Sequence, residues 1–489
     1  MIADNIAQYI AMNAIRRPER AALIGHGRRL DYRQLERAML GVAAALQEWG
    51  VRRGEIVGVA MRDDIDHVVT MFAIARLGAI LLPMDARWTA VETQNVARHF
   101  DARVVVTSDA QSSRLPETPV IVFDAAMLEH NIESLRLPAD SSADDPLLLS
   151  LSSGTTGTPK GPILSHRQML LRHYTEWLAL GFLQSDVNLC ATPLYFGGGR
   201  GFTLSYLMAG GTVVLHPPPH KPEDLAESIT AHGVTTTFLV PTLLRRIAAS
   251  PERIRAAFRG LRVVVSSGSA LHPTERATLF AQVNAHIVNL YASTEGGSVS
   301  VLEADATGLA ASSVGRPVLG SVVEIASEAG QPLPRGETGL IRHRAPWHPT
   351  GFHRNPEETK RFFRDGWYYP GDIGFQDVQG YVHITGRSKD MIIRGGVNIY
   401  PDEIEAVLLS HPGIADAAVV GRDSAILGEE VVAFIVPSGS CDAADLTEHC
   451  RRSLAAYKIP SAFLHVPELP RNPGGKVKKA ELRERLARA

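Results

Sequence analysis

A loop near residue 150 combines hydroxyl groups, glycines and a lysine. The apolar segment 146–151 leads into Ser152, Ser153, Gly154, Thr155, Thr156, Gly157, Thr158, Pro159 and Lys160. Glycines let backbone N–H groups approach phosphate oxygens, hydroxyls donate hydrogen bonds to those oxygens, and Lys160 adds positive charge. The spacing differs from the Gly-x-x-x-x-Gly-Lys-Ser/Thr phosphate loop. The loop therefore predicts binding of a polyphosphate, with a flexible polar turn as the alternative.

Further polar segments lie later in the chain and supply carboxylates and a second lysine. They are Tyr291-Ala292-Ser293-Thr294-Glu295, Gly371-Asp372, Gly386-Arg387-Ser388-Lys389-Asp390, Gly395-Gly396-Val397-Asn398-Ile399-Tyr400-Pro401 and Asn472-Pro473-Gly474-Gly475-Lys476. A carboxylate such as Glu295 suits Mg²⁺ bound to phosphate. Asp372 can accept hydrogen bonds from two sugar hydroxyls, and Lys476 can offset repulsion between two anions. Taken singly, each segment is also explained as an exposed turn or a solvated run of charge.

The elements that must position these segments alternate between strands and helices over the first three-quarters of the chain. Short apolar runs such as 55–60, 103–107 and 212–216 are separated by stretches of helical periodicity. This alternation predicts mostly parallel sheets covered by helices. Ligands of such sheets bind beyond the carboxyl ends of the strands, and the loops at 152–161 and 291–295 both follow predicted strands.

The predicted fold class is α/β, with a large N-terminal domain and a small C-terminal domain. After about Pro317 the pattern changes to strands and turns, which predicts a β-rich subdomain. The last stretch, of about 100 residues, is long enough for a small α+β domain. We therefore expect a large domain over residues 1–386, a hinge at 387–389 and a small mobile domain over 390–489.

The composition is that of an ordinary globular protein and excludes several functional classes. The chain has 489 residues, 45% of them hydrophobic, and a net charge of −2, which gives no electrostatic footprint for nucleic acid. Its cysteines, Cys190, Cys441 and Cys450, have no metal or redox spacing and predict a reducing compartment without disulfides. No apolar run reaches the roughly 18 residues of a membrane helix, and no secretory signal is apparent, so we expect a cytoplasmic protein. A homodimer is left open.

Taken together, the polar segments resemble the motifs of the adenylate-forming superfamily, which contains the acyl-CoA synthetases, the adenylation domains of peptide synthetases and the luciferases. They occur in that family's order and span residues 150–480. The resemblance implies an AMP-forming acid–thiol ligase that uses ATP and Mg²⁺. A carboxylic acid and ATP would give acyl-AMP and pyrophosphate. The acyl group would then pass to the thiol of coenzyme A, with release of AMP.

The resemblance also implies roles for single residues. Glu295 would bind Mg²⁺, Thr294 would contact phosphate, and Lys476 would reach the α-phosphate and the acyl carboxylate. Asp372 would bind the ribose hydroxyls, although the Thr that usually precedes this Gly-Asp pair is Pro370 here. The remaining nucleotide and CoA contacts would come from Ser152, Ser153, Gly154, Thr155, Thr156, Gly157, Thr158, Lys160, Gly268, Ser269, Tyr291, Ala292, Arg387, Gly395, Gly396 and Tyr457.

Members of the superfamily rotate the small domain between an adenylating and a thioester-forming state, and Lys389 falls at the hinge position. By the same resemblance, Gly395 and Gly396 would leave a tunnel for the pantetheine arm of CoA. The segment Gly-Gly-x-Asn-Ile-Tyr-Pro is typical of stand-alone CoA ligases, which favours CoA as the acceptor. The alternatives are an enzyme that loads a carrier protein and an inactive nucleotide-binding scaffold.

The acyl pocket of the family corresponds here to Tyr195, Phe196, Gly199, Arg200, Ser267 and Ala292. Many relatives carry His at the position of Phe196 and Gly at that of Ala292, so this chain has more apolar wall and a narrower slot. We therefore expect a compact aromatic or short branched acid rather than a long fatty acid. Arg200 is expected to point outward, because arginine is seldom buried without a partner. Pointing inward, it could pair with a second carboxylate and favour a dicarboxylic acid.

Overall fold

The computed structural model describes residues 4–108, 115–138, 141–151, 160–268, 271, 273–394, 397–424, 427–439, 441–472 and 475–488. Within these ranges the strands form four sheets, one of nine strands, two of six and one of five. Helices alternate with strands through most of the chain before residue 290. The predicted α/β fold class is confirmed.

The strands predicted at 55–60, 103–107 and 212–216 are present, with ends that differ by one residue. The helices of the described residues are α1 (Gln8–Arg16), α2 (Tyr32–Glu48), α3 (Ile65–Arg76), α4 (Ala90–His99), α5 (His166–Leu180), α6 (Gly197–Ala209), α7 (Pro222–His232), α8 (Pro241–Ala248), α9 (Glu252–Arg259), α10 (Pro273–Gln282), α11 (Pro356–Phe362), α12 (Pro401–Leu409), α13 (Ala443–Arg451) and α14 (Lys479–Arg488). The strands are β1 (Ala21–Gly25), β2 (Arg28–Asp31), β3 (Ile56–Ala60), β4 (Ile80–Pro83), β5 (Val104–Thr107), β6 (Val120–Val122), β7 (Pro146–Leu149), β8 (Ile163–Ser165), β9 (Val187–Cys190), β10 (Thr212–Leu215), β11 (Thr236–Leu239), β12 (Val263–Ser266), β13 (Ile287–Ser293), β14 (Gly297–Leu302), β15 (Arg316–Pro317), β16 (Val322–Ala326), β17 (Gly339–Arg344), β18 (Phe363–Arg364), β19 (Trp367–Tyr368), β20 (Asp372–Gln376), β21 (Val382–Arg387), β22 (Ile392–Arg394), β23 (Val397–Ile399), β24 (Ile414–Ser424), β25 (Gly428–Pro437) and β26 (Ala462–His465).

Two mostly parallel sheets form the centre of the large domain. The nine-stranded sheet has the order β15-β14-β13-β12-β11-β9-β10-β1-β2 and is parallel from β13 to β1. The first six-stranded sheet has the order β6-β5-β3-β4-β7-β8 and is antiparallel only at β8. The loop at 152–159 follows β7 and the segment 294–296 follows β13. Both therefore start at the carboxyl end of a strand, as predicted.

Helix α3 is the centre of the large hydrophobic core. All its residues from His67 to Ala75 are buried, so the helix is covered on every side, which agrees with its apolar sequence. One apolar cluster joins both sheets, with Leu23 of β1 and Val57 of β3 among its members. Burial of this continuous apolar surface is what holds the two sheets together.

Helix α5 is defined by clear signals at both of its ends. Ser165 and Gln168 form a capping box, in which each side chain accepts a hydrogen bond from the other residue's backbone N–H, and the helix therefore begins at His166. It ends at Gly181, whose left-handed φ of 64° suits glycine. These two signals set the first and last residues of α5.

The C-terminal part of the chain forms the remaining two sheets. β16 to β21 make the second six-stranded sheet, and β22 to β26 make the five-stranded sheet. The latter starts at Ile392, shortly after the predicted hinge at 387–389, and packs its own apolar cluster against α12 and α13. In the second six-stranded sheet the antiparallel register of β20 and β21 sets Asp372 opposite Arg387.

The other predictions on membrane helices and thiols also hold for the described residues. In these ranges, none of the helices has both the length and the apolar character needed to span a bilayer. Cys190, Cys441 and Cys450 all remain free thiols, without a disulfide. Burial raises the pKa of Cys190 and Cys450 to about 11, which keeps both thiols protonated and unreactive.

Candidate active site

A buried carboxylate, Asp372, is held between two partners from different parts of the large domain. Arg387 lies opposite it on β21, with Nε 2.9 Å from Oδ1. The hydroxyl of Tyr291, on β13, donates to Oδ2 at 2.5 Å. Burial, together with the charge of Asp372, raises the pKa of Tyr291 well above its ordinary value, so the phenol stays protonated and donates. The carboxylate keeps lone pairs for further donors and fits the paired hydroxyls of a ribose.

The segment after β13 carries Thr294 and Glu295 and is held from behind by Arg172 of α5. The Arg172 guanidinium donates to the carbonyl of Thr294 at 3.1 Å and to that of Glu295. Trp347 donates from Nε1 to the carbonyl of Gly296 at 2.9 Å. Sequence reasoning missed Arg172, because nothing in a single sequence tells which side of α5 meets the end of β13.

Glu295 is 8% exposed, and the hydroxyl of Tyr368 lies within hydrogen-bonding range of its carboxylate. Burial and the charge of Glu295 raise the pKa of Tyr368 well above its ordinary value. Among the described residues, no three His, Cys, Asp or Glu side chains converge on one point. A single buried carboxylate fits Mg²⁺, which keeps several waters and binds through phosphates.

Lys476 reaches this site from the small domain. Its loop is a tight turn in which Asn472 accepts from the Lys476 N–H at 2.9 Å. The turn lies against the start of α8 in the large domain, where a Cβ on Gly475 would be 2.9 Å from Oγ1 of Thr242. Burial and then the nearby charge of Arg387 lower the pKa of Lys476 to about 8. The structure therefore brings Lys476 together with the Asp372–Arg387 pair.

Lys160, which adds the predicted positive charge, is held by an ion pair and by two aromatic rings. It is 7% exposed, and its ammonium pairs with the carboxylate of Glu358 on α11. The rings of Phe352 and Phe362 lie 4.7 and 3.9 Å from Nζ, at cation–π distance. These contacts fix the end of the loop to the β-rich part of the large domain.

Several predicted residues fall outside the described residues or away from this cluster. Those outside are Ser152, Ser153, Gly154, Thr155, Thr156, Gly157, Thr158, Ser269, Gly395 and Gly396. Gly268 has a φ of 101°, which suits glycine, and lies beside buried Ser267 at the end of β12. Lys389 is exposed in the turn Ser388–Asp390. Tyr457 is 44% exposed on the small domain.

The predicted pocket residues line the start of α6 and the end of β13. Phe196 is half-buried and directly precedes α6, and Ala292 is half-buried beside the large core. Tyr195 accepts a hydrogen bond from Arg87 at 3.1 Å. The ring of Phe238 fills the space beside Gly198, where a Cβ would be 2.5 Å from it. Phe238 and Ala292 both pack in the large apolar core.

The prediction that Arg200 points outward is wrong. Its side chain is buried, with 4% of the residue exposed, and it donates to the carbonyl of Tyr195 at 2.8 Å and to Oγ of Ser150 at 3.3 Å. A statistical preference of arginine for the surface cannot account for this position, because backbone carbonyls at the start of α6 supply the acceptors that water would otherwise provide.

Two segments of the chain match family models of AMP-binding enzymes. Residues 10–352 match the AMP-binding enzyme family, and residues 403–476 match the AMP-binding enzyme C-terminal domain. The indoleacetate–CoA ligase of Aromatoleum aromaticum is 32% identical, in an alignment that covers 99% of this chain and 98% of the ligase. The feruloyl-CoA synthase of an Amycolatopsis species is 32% identical over 96% of both chains. The fatty acid–[acyl-carrier-protein] ligase ScoC of Streptomyces coeruleorubidus is 30% identical, over 99% of this chain and 96% of its own.

Solved structures agree with the sequence matches. ATP-bound MatB from Rhodopseudomonas palustris superposes with a TM-score of 0.90 at 28% identity, covering 98% of this chain and 99% of MatB. Apo MatB, with the same identity and coverage, gives a TM-score of 0.80, so the ATP-bound form fits better. The chain therefore belongs to the AMP-binding enzyme family, as its motifs predicted.

Proposed function

We propose that this protein is an ATP-dependent acyl-CoA synthetase that activates a compact carboxylic acid as acyl-AMP and then transfers the acyl group to CoA. The observation that carries the proposal is the position of Lys476, which the small domain holds beside the Asp372–Arg387 pair. A lysine in that position can stabilise charge on the α-phosphate only while the two domains are closed. This arrangement favours the adenylating state of a two-state ligase over a plain nucleotide-binding scaffold.

In the first step the acid attacks the α-phosphorus of ATP, and the bond to pyrophosphate breaks. No general base is needed, because a carboxylic acid is already ionised at neutral pH. Asp372 holds the ribose, Thr294 donates to phosphate, and the ammonium of Lys476 stabilises charge on the reacting oxygens. Mg²⁺, when bound by Glu295, supplies charge neutralisation on the phosphates.

In the second step a thiol attacks the carbonyl of acyl-AMP, and AMP leaves. We propose that the small domain turns about 387–389 before this step, so that Lys476 leaves the site and the thiol can approach. CoA is the proposed acceptor, and a carrier protein is the second candidate. The relative ScoC carries that second activity in its name, whereas the indoleacetate and ferulate relatives are named as CoA enzymes.

The proposed acid is compact, and its body is aromatic or short and branched. Support comes from half-buried Phe196 and Ala292, which place apolar side chains at the start of α6 and at the end of β13. Pyrophosphate release from ATP should be measured over a panel of carboxylic acids, followed by thioester formation with CoA and with a phosphopantetheinylated carrier protein. Preference for palmitate would refute the narrow pocket, and transfer to the carrier protein alone would refute CoA as acceptor.

Replacing Arg172 by Met should weaken the binding of Mg²⁺ and so raise the Mg²⁺ concentration that adenylation requires. The variant loses the two donors that fix the Thr294 and Glu295 carbonyls, so the Glu295 carboxylate is no longer held in place. We expect the Mg²⁺ concentration at half-maximal pyrophosphate release to rise by about 10-fold, the scale of losing a hydrogen bond from a charged group. Manganese binding measured by electron paramagnetic resonance should weaken in parallel. Unchanged metal binding with a lower melting temperature would leave Arg172 as a fold residue only.

The rate of adenylation should fall as the pH rises above about 8. Lys476, with its pKa lowered to about 8, is a cation below that pH and neutral above it, and only the cation stabilises the phosphoryl oxygens. In a pH profile of kcat/KM the basic limb should disappear in Lys476→Arg, because arginine stays charged. In the pH profile of kcat, the basic limb should lie at a higher pH than in kcat/KM, since bound ATP favours the cationic form of Lys476. A basic limb that persists in Lys476→Arg would assign it to another group.

A further inference from the structure

Arg200 is a buried cation whose hydrogen bonds all end on neutral groups. Its guanidinium donates to the carbonyls of Leu194 and Tyr195 and to Oγ of Ser150, the residue that ends the strand region before the phosphate loop. In the described part of the chain, no carboxylate lies within 4.0 Å of it. The nearby carboxylate of Asp63 accepts instead from the N–H of Leu194 at 2.8 Å.

The other ionisable groups near Arg200 do not neutralise its charge. Burial and then the charge of Arg172 lower the pKa of Arg200 to about 10, which places a second buried guanidinium close by. Burial and the charge of Arg200 help lower the pKa of His67 to about 4, so this imidazole is neutral and offers no counter-charge. Neutral acceptors satisfy the donors of a buried cation but do not neutralise its charge, and such a cation is stabilised when an anion binds beside it.

Space for a ligand lies next to this cation along α6. Gly197 and Gly201 are one helical turn apart on the same side of the helix. A Cβ on Gly197, which is exposed, or on Gly201, which is half-buried, would meet no heavy atom of the described residues within 4 Å. Arg200 precedes Gly201 and follows Phe196 by one turn. The contacts with the carbonyls of Leu194 and Tyr195 place the guanidinium at the Phe196 end of α6, so a molecule that lies along the two glycines has its end nearer Phe196 beside Arg200.

We infer that Arg200 binds a negatively charged group of the acyl substrate other than the reacting carboxylate. This inference rests on the proposed acyl-CoA synthetase function and narrows its substrate class to a compact acid that carries a second anionic group, a carboxylate or a sulfonate. The shared chemistry is an anionic oxygen group. ATP phosphates could supply it as well, so the experiment has to separate the two sources.

The test compares acids that differ only in a methyl or a carboxylate at the far end. The pairs are pentanoate and glutarate, 3-methylbenzoate and isophthalate, and 3-methylphenylacetate and 3-carboxyphenylacetate. Pyrophosphate release gives kcat/KM for each acid and KM for ATP. In the unmodified enzyme, kcat/KM for at least one diacid should exceed kcat/KM for its methyl partner. Arg200→Gln should lower kcat/KM for that diacid by about 10- to 100-fold, the effect of losing a hydrogen bond to an ion. KM for ATP should stay within about two-fold.

Two further variants and a direct binding measurement complete the test. Arg200→Lys keeps the charge and should recover part of the diacid preference, whereas Arg255→Gln, on the far helix α9, should leave all values unchanged. Calorimetric titration of the preferred diacid should show weaker binding to Arg200→Gln, with no matching loss for its methyl partner. Melting temperatures check that each variant is folded.

The contradicting outcomes are distinct. A rise in KM for ATP in Arg200→Gln would assign the cation to phosphate and overturn the inference. Equal losses for both members of every pair, with a lower melting temperature, would make Arg200 a brace of α6. Efficient use of the methyl acids with no diacid preferred would refute the inference and leave the proposed function intact. Absence of pyrophosphate release with any acid of the wider panel would refute the proposed function itself.

Discussion

Replacing Lys476 by Ala is expected to lower the rate of acyl-AMP formation by about 100-fold or more, the scale of losing one preorganised charge-stabilising donor. The lysine is half-buried beside Asp372 and Arg387. The measurement is ATP–pyrophosphate exchange with a saturating acid. Lys478→Ala is the matched control, because Lys478 is an exposed lysine two residues away.

Thioester formation from supplied acyl-AMP should survive in the same Lys476→Ala variant. If the small domain turns about 387–389 between the two steps, Lys476 is far from the reacting atoms when the thiol attacks. Rates of the two half-reactions, measured separately, therefore distinguish a moving domain from a fixed one. Equal damage to both half-reactions would contradict the two-state mechanism.

Replacing Asp372 by Ala should raise KM for ATP by about 100-fold or more. The variant removes the acceptor proposed for both ribose hydroxyls and leaves the hydroxyl of Tyr291 and the guanidinium of Arg387 without their shared partner. Each lost hydrogen bond to a charged group is worth roughly 1.5–3 kcal/mol. Isothermal titration with ATP in the presence of Mg²⁺ measures the loss directly, and a melting curve checks that the variant is folded.

Two smaller changes serve as controls for Asp372. Asp372→Asn keeps the shape but removes the charge and half of the acceptors, so it should bind ATP almost as weakly as the Ala variant. Tyr291→Phe removes one donor and leaves the carboxylate, so the loss should be only about 5- to 10-fold. Tight ATP binding by Asp372→Asn would show that the carboxylate serves the fold rather than the nucleotide.

Much of the fold follows from local signals in the sequence. The apolar runs that became β3, β5 and β10 are buried in parallel sheets, and a nearly continuous apolar stretch became α3, which is covered on all sides. The polar segments that follow β7 and β13 in the sequence begin at strand carboxyl ends, which is where parallel sheets bind their ligands. These features depend on residues close together in the chain, and such patterns are visible in one sequence.

The orientations of single side chains could not be predicted in the same way. Arg200 faces inward because carbonyls at the start of α6 and a serine from another sheet accept its hydrogen bonds, and those acceptors lie up to 50 residues away. Lys160 is fixed by Glu358, which is 198 residues distant. Arg172 meets the carbonyls after β13 across more than 120 residues. Each contact depends on how elements pack, and a motif carries no information about that.

The contact between Gly198 and Phe238 constrains how this enzyme can change its preference by mutation. The aromatic ring occupies the volume that any side chain at position 198 would need, with only 2.5 Å between the ring and an added Cβ. A larger residue at 198 is therefore excluded until position 238 has become smaller. The two sites are epistatic, and the order of substitution matters. A library that varies position 198 alone would find no larger residue there, whereas a first substitution that makes position 238 smaller would open that route.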